Sequence, residues 1–241
     1  KPFSVLVHYK EAIEEMAAHL ETSAYKLIDA HWPGPMTVVV AMRENKENVK
    51  TIGLRMPNNI IALSLVREAQ CSVAAPSANI EGKPPPRTCQ EALKDLEGLV
   101  DIAIDGGPAA LGKESSVVDL TVQPPKLLRA GPVTQIDIEK TTRQKNILFV
   151  CTGNSCRSVM AEYLLKKMLG SREDIHITSA GTGVFMSTGA SYETIEVLKK
   201  EGIDASSHRS QPLTAMMLKK SDFILVMTQS HREQILERVP S

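Results

Sequence analysis

The 241-residue sequence predicts an α/β protein built as two domains in tandem, a mixed twisted sheet followed by a doubly wound parallel sheet. Three observations carry this. Short apolar runs alternate with segments of helical period along the chain. Of the 14 prolines, 12 precede residue 133, and the polar stretch Thr134 to Lys145 (TQIDIEKTTRQK) separates the two compositions. Finally, the apolar run Ile147-Leu148-Phe149-Val150 leads into Cys151, five residues and Arg157, where a buried strand should turn into a helix. The boundaries read as a domain over 1–132, a linker over 133–145 and a second domain over 146–241.

In chain order, strand-like runs fall at 3–8, 36–42, 52–55, 73–75, 102–104 and 116–120, and helix-like segments at 9–20, 60–69 and 89–96. The second domain opens with the strand ending at Val150 and a helix over 160–168. No internal repeat or low-complexity tract appears, and Pro84-Pro85-Pro86 is a short rigid turn. The 28 basic and 28 acidic residues cancel, which excludes a global field for polyanions. Cys71, Cys89, Cys151 and Cys156 do not make a secreted disulfide framework. With neither a membrane-length apolar run nor a leader peptide in view, the expectation is a soluble cytoplasmic protein without membrane association. Lys1-Pro2 runs at once into strand-like sequence, so both ends are expected to be cut.

The stretch Cys151-Thr152-Gly153-Asn154-Ser155-Cys156-Arg157-Ser158 is the most specific chemical statement in the chain. A loop ending in a helix N-terminus turns several backbone N–H groups inward, and the helix dipole favours negative charge there. Both effects favour a thiolate at Cys151 and bind phosphate. Gly153 permits the tight backbone of such a nest, and Asn154 can hold the loop through its amide. Arg157 offers a planar fork to two phosphoryl oxygens, and Ser158 can donate to the sulfur as it leaves. Spacing alone would indicate only a buried cysteine near a surface arginine. The ordered context of strand, Gly-Asn, Cys-Arg-Ser and helix makes it specific.

Over residues 145–241 these features resemble the low-molecular-weight phosphatase family, whose signature is VCTGNSCRS-x-MAE. The segments SAGT (from Ser179), SSHRSQPLT (from Ser206) and SDFILVMT (from Ser221) resemble it too. The resemblance implies Cys151 as nucleophile, Arg157 as transition-state clamp, Ser158 as thiolate stabiliser, Thr152 to Cys156 as phosphate loop, and no cofactor. It also implies an aspartate general acid in an Asp-Pro loop, which has no counterpart between Asp222 and Ser241. Val159 stands where the family usually has proline. Arsenate reductases of the family need further cysteines, and none follows Cys156. Ser155, a small hydroxyl before Cys156, leans toward phosphoarginine over phosphotyrosine as substrate. Cys156 could protect Cys151 as a reversible disulfide or simply pack.

In the first domain, HWPGPMT (from His31), TIGLRMP (from Thr51), APSAN (from Ala75), DGG (from Asp105) and ESSVVD (from Glu114) together resemble the YrdC-like threonylcarbamoyl-AMP synthases. That resemblance implies a nucleotidyltransferase that joins L-threonine, bicarbonate and ATP, releases pyrophosphate, and serves tRNA threonylcarbamoyladenosine modification alongside tRNA-modification partner proteins. Joining a carbamate to an α-phosphate brings two anions together, so positioning and charge neutralisation must dominate. By resemblance His8, Arg55, Ala75 and Ser115 form the threonine pocket, and Thr51, Ser77, Asn79 and Arg129 the ATP site. Mg2+ would bridge the phosphates, with no metal held by the protein alone. Pro85 replaces a serine usual in the family, whose upstream Lys-x-Arg would end just before Lys1. The expectation is therefore a bifunctional enzyme. The alternatives are an RNA-binding module joined to a phosphate-binding pseudo-phosphatase, or arsenate reduction in the second domain.

Overall fold

The computed structural model describes residues 3–43, 50–80 and 82–238. Lys1, Pro2, Pro240 and Ser241, which bear on the expectation about the chain ends, lie outside the described residues. The chain divides into two compact units, Lys1–Thr141 and Thr142–Ser241.

The first unit runs β1 (Ser4–Leu6), a 3-10 turn (Lys10–Ala12), α1 (Ile13–Met16), α2 (Thr22–His31), β2 (Met36–Ala41), β3 (Thr51–Arg55), α3 (Ile60–Glu68), β4 (Val73–Ala75), α4 (Cys89–Leu96), β5 (Ser116–Asp119), β6 (Lys126–Arg129) and α5 (Gln135–Arg143). Its six strands order as β4-β1-β3-β2-β5-β6. β1 pairs with β3, and β2 with β5, in parallel, while the other neighbours are antiparallel, giving the mixed sheet expected. β2 shows why: Thr37 to Val40 is a β-branched run, and Met36, Val38 and Val40 are buried at period two. Helices α3 and α4 start on side-chain caps. The Asn59 side chain accepts from Ala62 N at 3.0 Å, and Thr88 Oγ1 accepts from Glu91 N at 3.2 Å.

Several elements differ from the sequence expectation. The 3–8 run pairs only over Ser4–Leu6. The helical stretch expected at 9–20 is a 3-10 turn and one α turn. Ala17 ends it by going extended (φ −83°, ψ 139°), and it bridges to Met42. No strand forms at 102–104: Ile102 and Ile104 are 80% and 57% exposed, and alternation without a ladder partner does not hold a strand. Helix α2 and strand β6 were not expected. α2 buries Ala24, Leu27 and Ile28, the i, i+3, i+4 stripe of a core helix. Much of the stretch read as linker is α5. Its first turn is capped by Asp137 Oδ2, which accepts from Thr134 N at 2.8 Å and Thr134 Oγ1 at 2.7 Å.

The second unit runs β7 (Lys145–Cys151), α6 (Arg157–Leu169), β8 (Ile175–Gly181), α7 (Tyr192–Lys200), α8 (Ala215–Lys219), β9 (Phe223–Val226) and α9 (Gln229–Arg238). The three strands form a parallel sheet in the order β8-β7-β9. Leu148, Val150, Ala180, Leu213, Leu218 and Ile235 close one core cluster. Among the described residues no helix is long and apolar enough to cross a membrane.

Candidate active sites

Cys151 is the last residue of β7, the central strand, and is 3% exposed. The chain then loops over Thr152 to Cys156 and enters α6 at Arg157, so the loop lies at the carboxyl end of a parallel strand and at a helix N-terminus. Two donors face the sulfur: Asn154 N at 3.3 Å and the Ser158 hydroxyl, with Oγ at 2.9 Å from Sγ. Arg157 is exposed, and its guanidinium meets no protein acceptor among the described residues.

Asn154 organises the loop. It is fully buried and holds φ at +50°, a left-handed conformation that asparagine tolerates better than most residues. Its Nδ2 donates to Ser179 Oγ at 2.7 Å and Ser158 Oγ at 3.1 Å, and its Oδ1 accepts from Gln211 N at 2.9 Å. Its carbonyl lies 2.8 Å from His208 Nε2. Behind it, Ser179 donates a short hydrogen bond to Glu162. The conformational freedom expected of Gly153 is not what the loop uses: an added Cβ there would meet nothing nearer than Ser155 Oγ at 3.5 Å, and φ is not positive. The crowding falls instead on Gly181, where a Cβ would sit 2.4 Å from Thr152 O and 2.6 Å from Val184 Cγ2.

The other edge of the loop rests on α7. Ser191, its N-cap, donates its N–H to Ser155 O at 2.9 Å, and its Oγ accepts from the Cys156 thiol at 3.2 Å. That bond, with further contacts from Thr194 and Ser155, pulls the Cys156 pKa below the usual thiol value. All four cysteines are free thiols. Val159, at the family's proline position, is completely buried in the first turn of α6.

In the first unit the structure gathers only part of the expected set. Arg55 ends β3, and its Nε donates to Gly34 O at 3.2 Å. Its other donors meet no acceptor among the described residues. Arg129 donates to Ser115 O from Nε and Nη2 at 3.0 and 2.8 Å and to Ser115 Oγ at 3.1 Å, and pairs with Glu114 at 3.1 Å. Ser115 Oγ also lies 2.8 Å from Thr37 Oγ1. Burial, and then the nearby Arg129 charge, push the Arg55 pKa down, although a guanidinium keeps its proton. Two cations are thus held in one polar corner. His8 follows Val7, whose N–H bonds Arg55 O at 2.9 Å, so it sits at the same end of the sheet.

Thr51 and Ala75 do not join this corner. Thr51 starts β3, and Ala75 is level with Ser4 and Gly53, toward the opposite end. Asn79 shares a cavity of about 610 Å³ with Lys83, Lys113, Glu114 and Gly131. Its Nδ2 donates to Lys83 O, while its buried Oδ1 has no partner among the described residues. Among the described residues no group of three or more His, Cys, Asp or Glu could hold a metal ion.

Sequence reasoning gave no role to Glu162, Ser191, His208, Gln211 or His231. His208 and Gln211 lie in a quoted segment, and Glu162 in the signature itself. Ser191 had only the signal of a serine before a helical run.

The family model described as "Telomere recombination" (Sua5/YciO/YrdC) matches residues 1–131, and that described as low molecular weight phosphotyrosine protein phosphatase matches residues 146–240. The chain is 37% identical over 165 residues to a threonylcarbamoyl-AMP synthase of Pyrococcus abyssi, covering 66% of this chain and 48% of that protein. It is 41% identical over 97 residues to a probable low molecular weight protein-tyrosine-phosphatase of Ralstonia solanacearum, covering 40% of this chain and 65% of that one. Among solved structures, a doubly substituted Pyrococcus abyssi Sua5 aligns with a TM-score of 0.55 at 25% identity, over 94% of this chain and 80% of the other. The chain spans about half the length of the curated synthases it matches.

Proposed function

From the premise that the chain belongs to the Sua5/YciO/YrdC family and carries a low-molecular-weight phosphatase domain behind it, we propose a bifunctional enzyme. Residues 1–132 make threonylcarbamoyl-AMP from L-threonine, bicarbonate and ATP. Residues 146–241 hydrolyse a phosphorylated protein through a phosphocysteine, and 133–145 join the two. The observation that carries the reading is the phosphate loop, with a buried sulfur facing Asn154 N and Ser158 Oγ and a guanidinium at the mouth.

The phosphatase works in two steps. The Cys151 sulfur attacks phosphorus from the side opposite the leaving group. The S–P bond forms as the P–O or P–N bond breaks, and the leaving group takes a proton from a general acid. Arg157 and the inward N–H groups bind the equatorial oxygens, whose charge grows in the transition state. Water then attacks phosphorus, the S–P bond breaks, phosphate departs, and Ser158 and Asn154 N stabilise the returning thiolate. Ser155 supports phosphoarginine over phosphotyrosine, because a small residue leaves room for a guanidinium.

In the synthase the threonine amine and bicarbonate give a carbamate and water. A carbamate oxygen attacks the α-phosphorus of ATP and pyrophosphate leaves. The Arg55–Arg129 corner supports the binding of an anion there, with Arg55 and Ser115 holding the threonine carboxylate beside His8, and Arg129 facing the nucleotide. Thr51, Ala75, Ser77 and Asn79 complete the proposed contacts, and Mg2+ enters as the ATP complex. The product suits tRNA-modification partner proteins, and the setting is the cytoplasm.

The test pairs two assays on the wild type, Cys151→Ser and Arg55→Ala. Cys151→Ser should lose aryl-phosphate turnover by at least about a thousandfold, still bind inorganic phosphate, and bind threonine with ATP normally. Arg55→Ala should show the reverse pattern. A wild type that neither binds phosphate nor turns over an aryl phosphate, or does not bind threonine with ATP, refutes the corresponding half.

A further inference from the structure

His231 lies in the first turn of α9, is 3% exposed, and has no part in the two chemical steps. Its ring joins two hydroxyls on different segments. Nε2 is 2.9 Å from Thr152 Oγ1, on the phosphate loop, and Nδ1 is 2.9 Å from Thr228 Oγ1. Among the described residues it makes the one hydrogen bond from α9 to that loop. The remaining ties to the loop come from β7, α6, β8, Gly183 just after β8, α7 with its N-cap, and the 208–211 segment.

We assign the His231 tautomer that this network accommodates. Thr228 Oγ1 accepts the His231 backbone N–H at 3.4 Å, so its single proton is available to Nδ1. Nε2 then carries the ring proton and donates to Thr152 Oγ1. Burial, followed by repulsion from Arg157, holds the ring's pKa below 6.5, in keeping with a neutral imidazole. Thr152 is thereby held twice, its side chain by His231 and its carbonyl by Gly183 N at 3.0 Å. It is the residue directly after the nucleophile, so its peptide planes set the direction of the N–H groups that follow.

We propose that His231 is a positioning residue of the phosphatase site, whose Nε2–H fixes Thr152 and through it the inward aim of the loop amides. The proposal rests on the phosphatase reading and adds to it. A uniformly anchored loop serves ground state and transition state alike, but the transition state is the less tolerant of misaim. Loosening Thr152 should therefore appear mainly in kcat.

The two ring nitrogens can be mimicked separately. Glutamine places an amide donor near the Nε2 position and keeps the Thr152 bond. Asparagine reproduces Nδ1 and keeps only the Thr228 bond. With p-nitrophenyl phosphate, His231→Asn should lower kcat about tenfold, as loss of one hydrogen bond in the transition state would, with KM within about twofold. His231→Gln should stay within about threefold of wild type. Thr152→Val should match His231→Asn, and the double variant should lose no more than either single one, because the two residues act as one unit.

Backbone NMR signals of Gly153 and Asn154 give a readout independent of turnover. They should move in His231→Asn and stay in His231→Gln. Equal losses in the Asn and Gln variants that follow melting temperature, additive losses in the double variant, or unmoved loop signals would reduce His231 to a cap of α9 and overturn the proposal. A wild type that fails to turn over the aryl phosphate counts against the phosphatase reading instead, and the loop signals still decide the role of His231.

Discussion

Every polar atom of Asn154 is committed to the loop. The backbone N–H faces Cys151 Sγ, the carbonyl faces His208, and the amide joins Ser158, Ser179 and Gln211. The residue types of this site were legible in the sequence because the groups proposed to react are contiguous: Cys151, Arg157 and Ser158 lie within eight residues and come with their strand and helix. The division of labour was not legible. Glycine is the usual occupant of a positive φ, and the reading placed that freedom at Gly153. Asn154 takes it instead, because its amide bonds fix the conformation. The tight approach is at Gly181, some thirty residues downstream, where only folding reveals that β8 runs against Thr152 O. Gly181→Ala should therefore cost about 1–3 kcal/mol and lower aryl-phosphate turnover. Gly153→Ala should stay within about 0.5 kcal/mol of wild type. Urea melts of both variants check this, and a Gly181→Ala loss no larger than about 0.5 kcal/mol would show that a side chain is tolerated at Gly181.

At the scale of elements, strands with β-branched runs and the capped helices α3 and α4 were readable, and short or borrowed elements were not. β6 (Lys126–Arg129) has little pattern of its own and exists because β5 offers it an antiparallel edge. The 102–104 run has the pattern and no edge. Helix α2 shows what burial does to a titrating group. His31, in its last turn, has a buried Nε2 without a hydrogen-bond partner. Burial pushes its pKa below the ordinary 6.5, with Asp137 of α5 opposing that shift. The unfolded chain therefore binds the proton more readily than the folded one. This part of the stability is present above about pH 6.5 and is lost as pH falls below it toward the depressed folded value. His231 adds a slope of the same sign in the second unit. Thermal melts of wild type and His31→Gln between pH 7 and pH 5 isolate the first effect: the wild type should lose more melting temperature on acidification than the variant. Parallel losses would mean that His31 is not held neutral in the fold.

At the scale of the whole chain, the order of the two matched families was accessible from motif. The sharing of residues between the two ends of the first sheet was not, because motif order carries no register. Arg55, Ser115 and Arg129 converge through pairings of β2 with β3 and β5, and of β5 with β6, whereas Thr51 lies at the other end of β3 and Ala75 is placed by the ladders of β1 with β3 and β4. Two units with their own sheets should respond to ligands one at a time. In calorimetry, threonine with ATP should raise one transition and inorganic phosphate the other, each by about 2.7 kcal/mol at a hundredfold excess over its dissociation constant. A single ligand that raises both equally would mean that the units unfold as one.

The placing of the nucleophile on the central strand, with its supports downstream, has a consequence for how the protein is made. Cys151 leaves the ribosome first, Gln211 and His231 follow, and the last of these comes about 80 residues later, roughly 4–16 s at ordinary rates of synthesis. At the start of that interval β7 has neither neighbour; β8, β9 and the anchors at Ser179, Ser191, His208 and Gln211 arrive within it, and the bond from His231 to Thr152 comes last. The loop is therefore fully anchored only once translation has entered α9, and until then the growing polypeptide carries Cys151 beside an incompletely held loop.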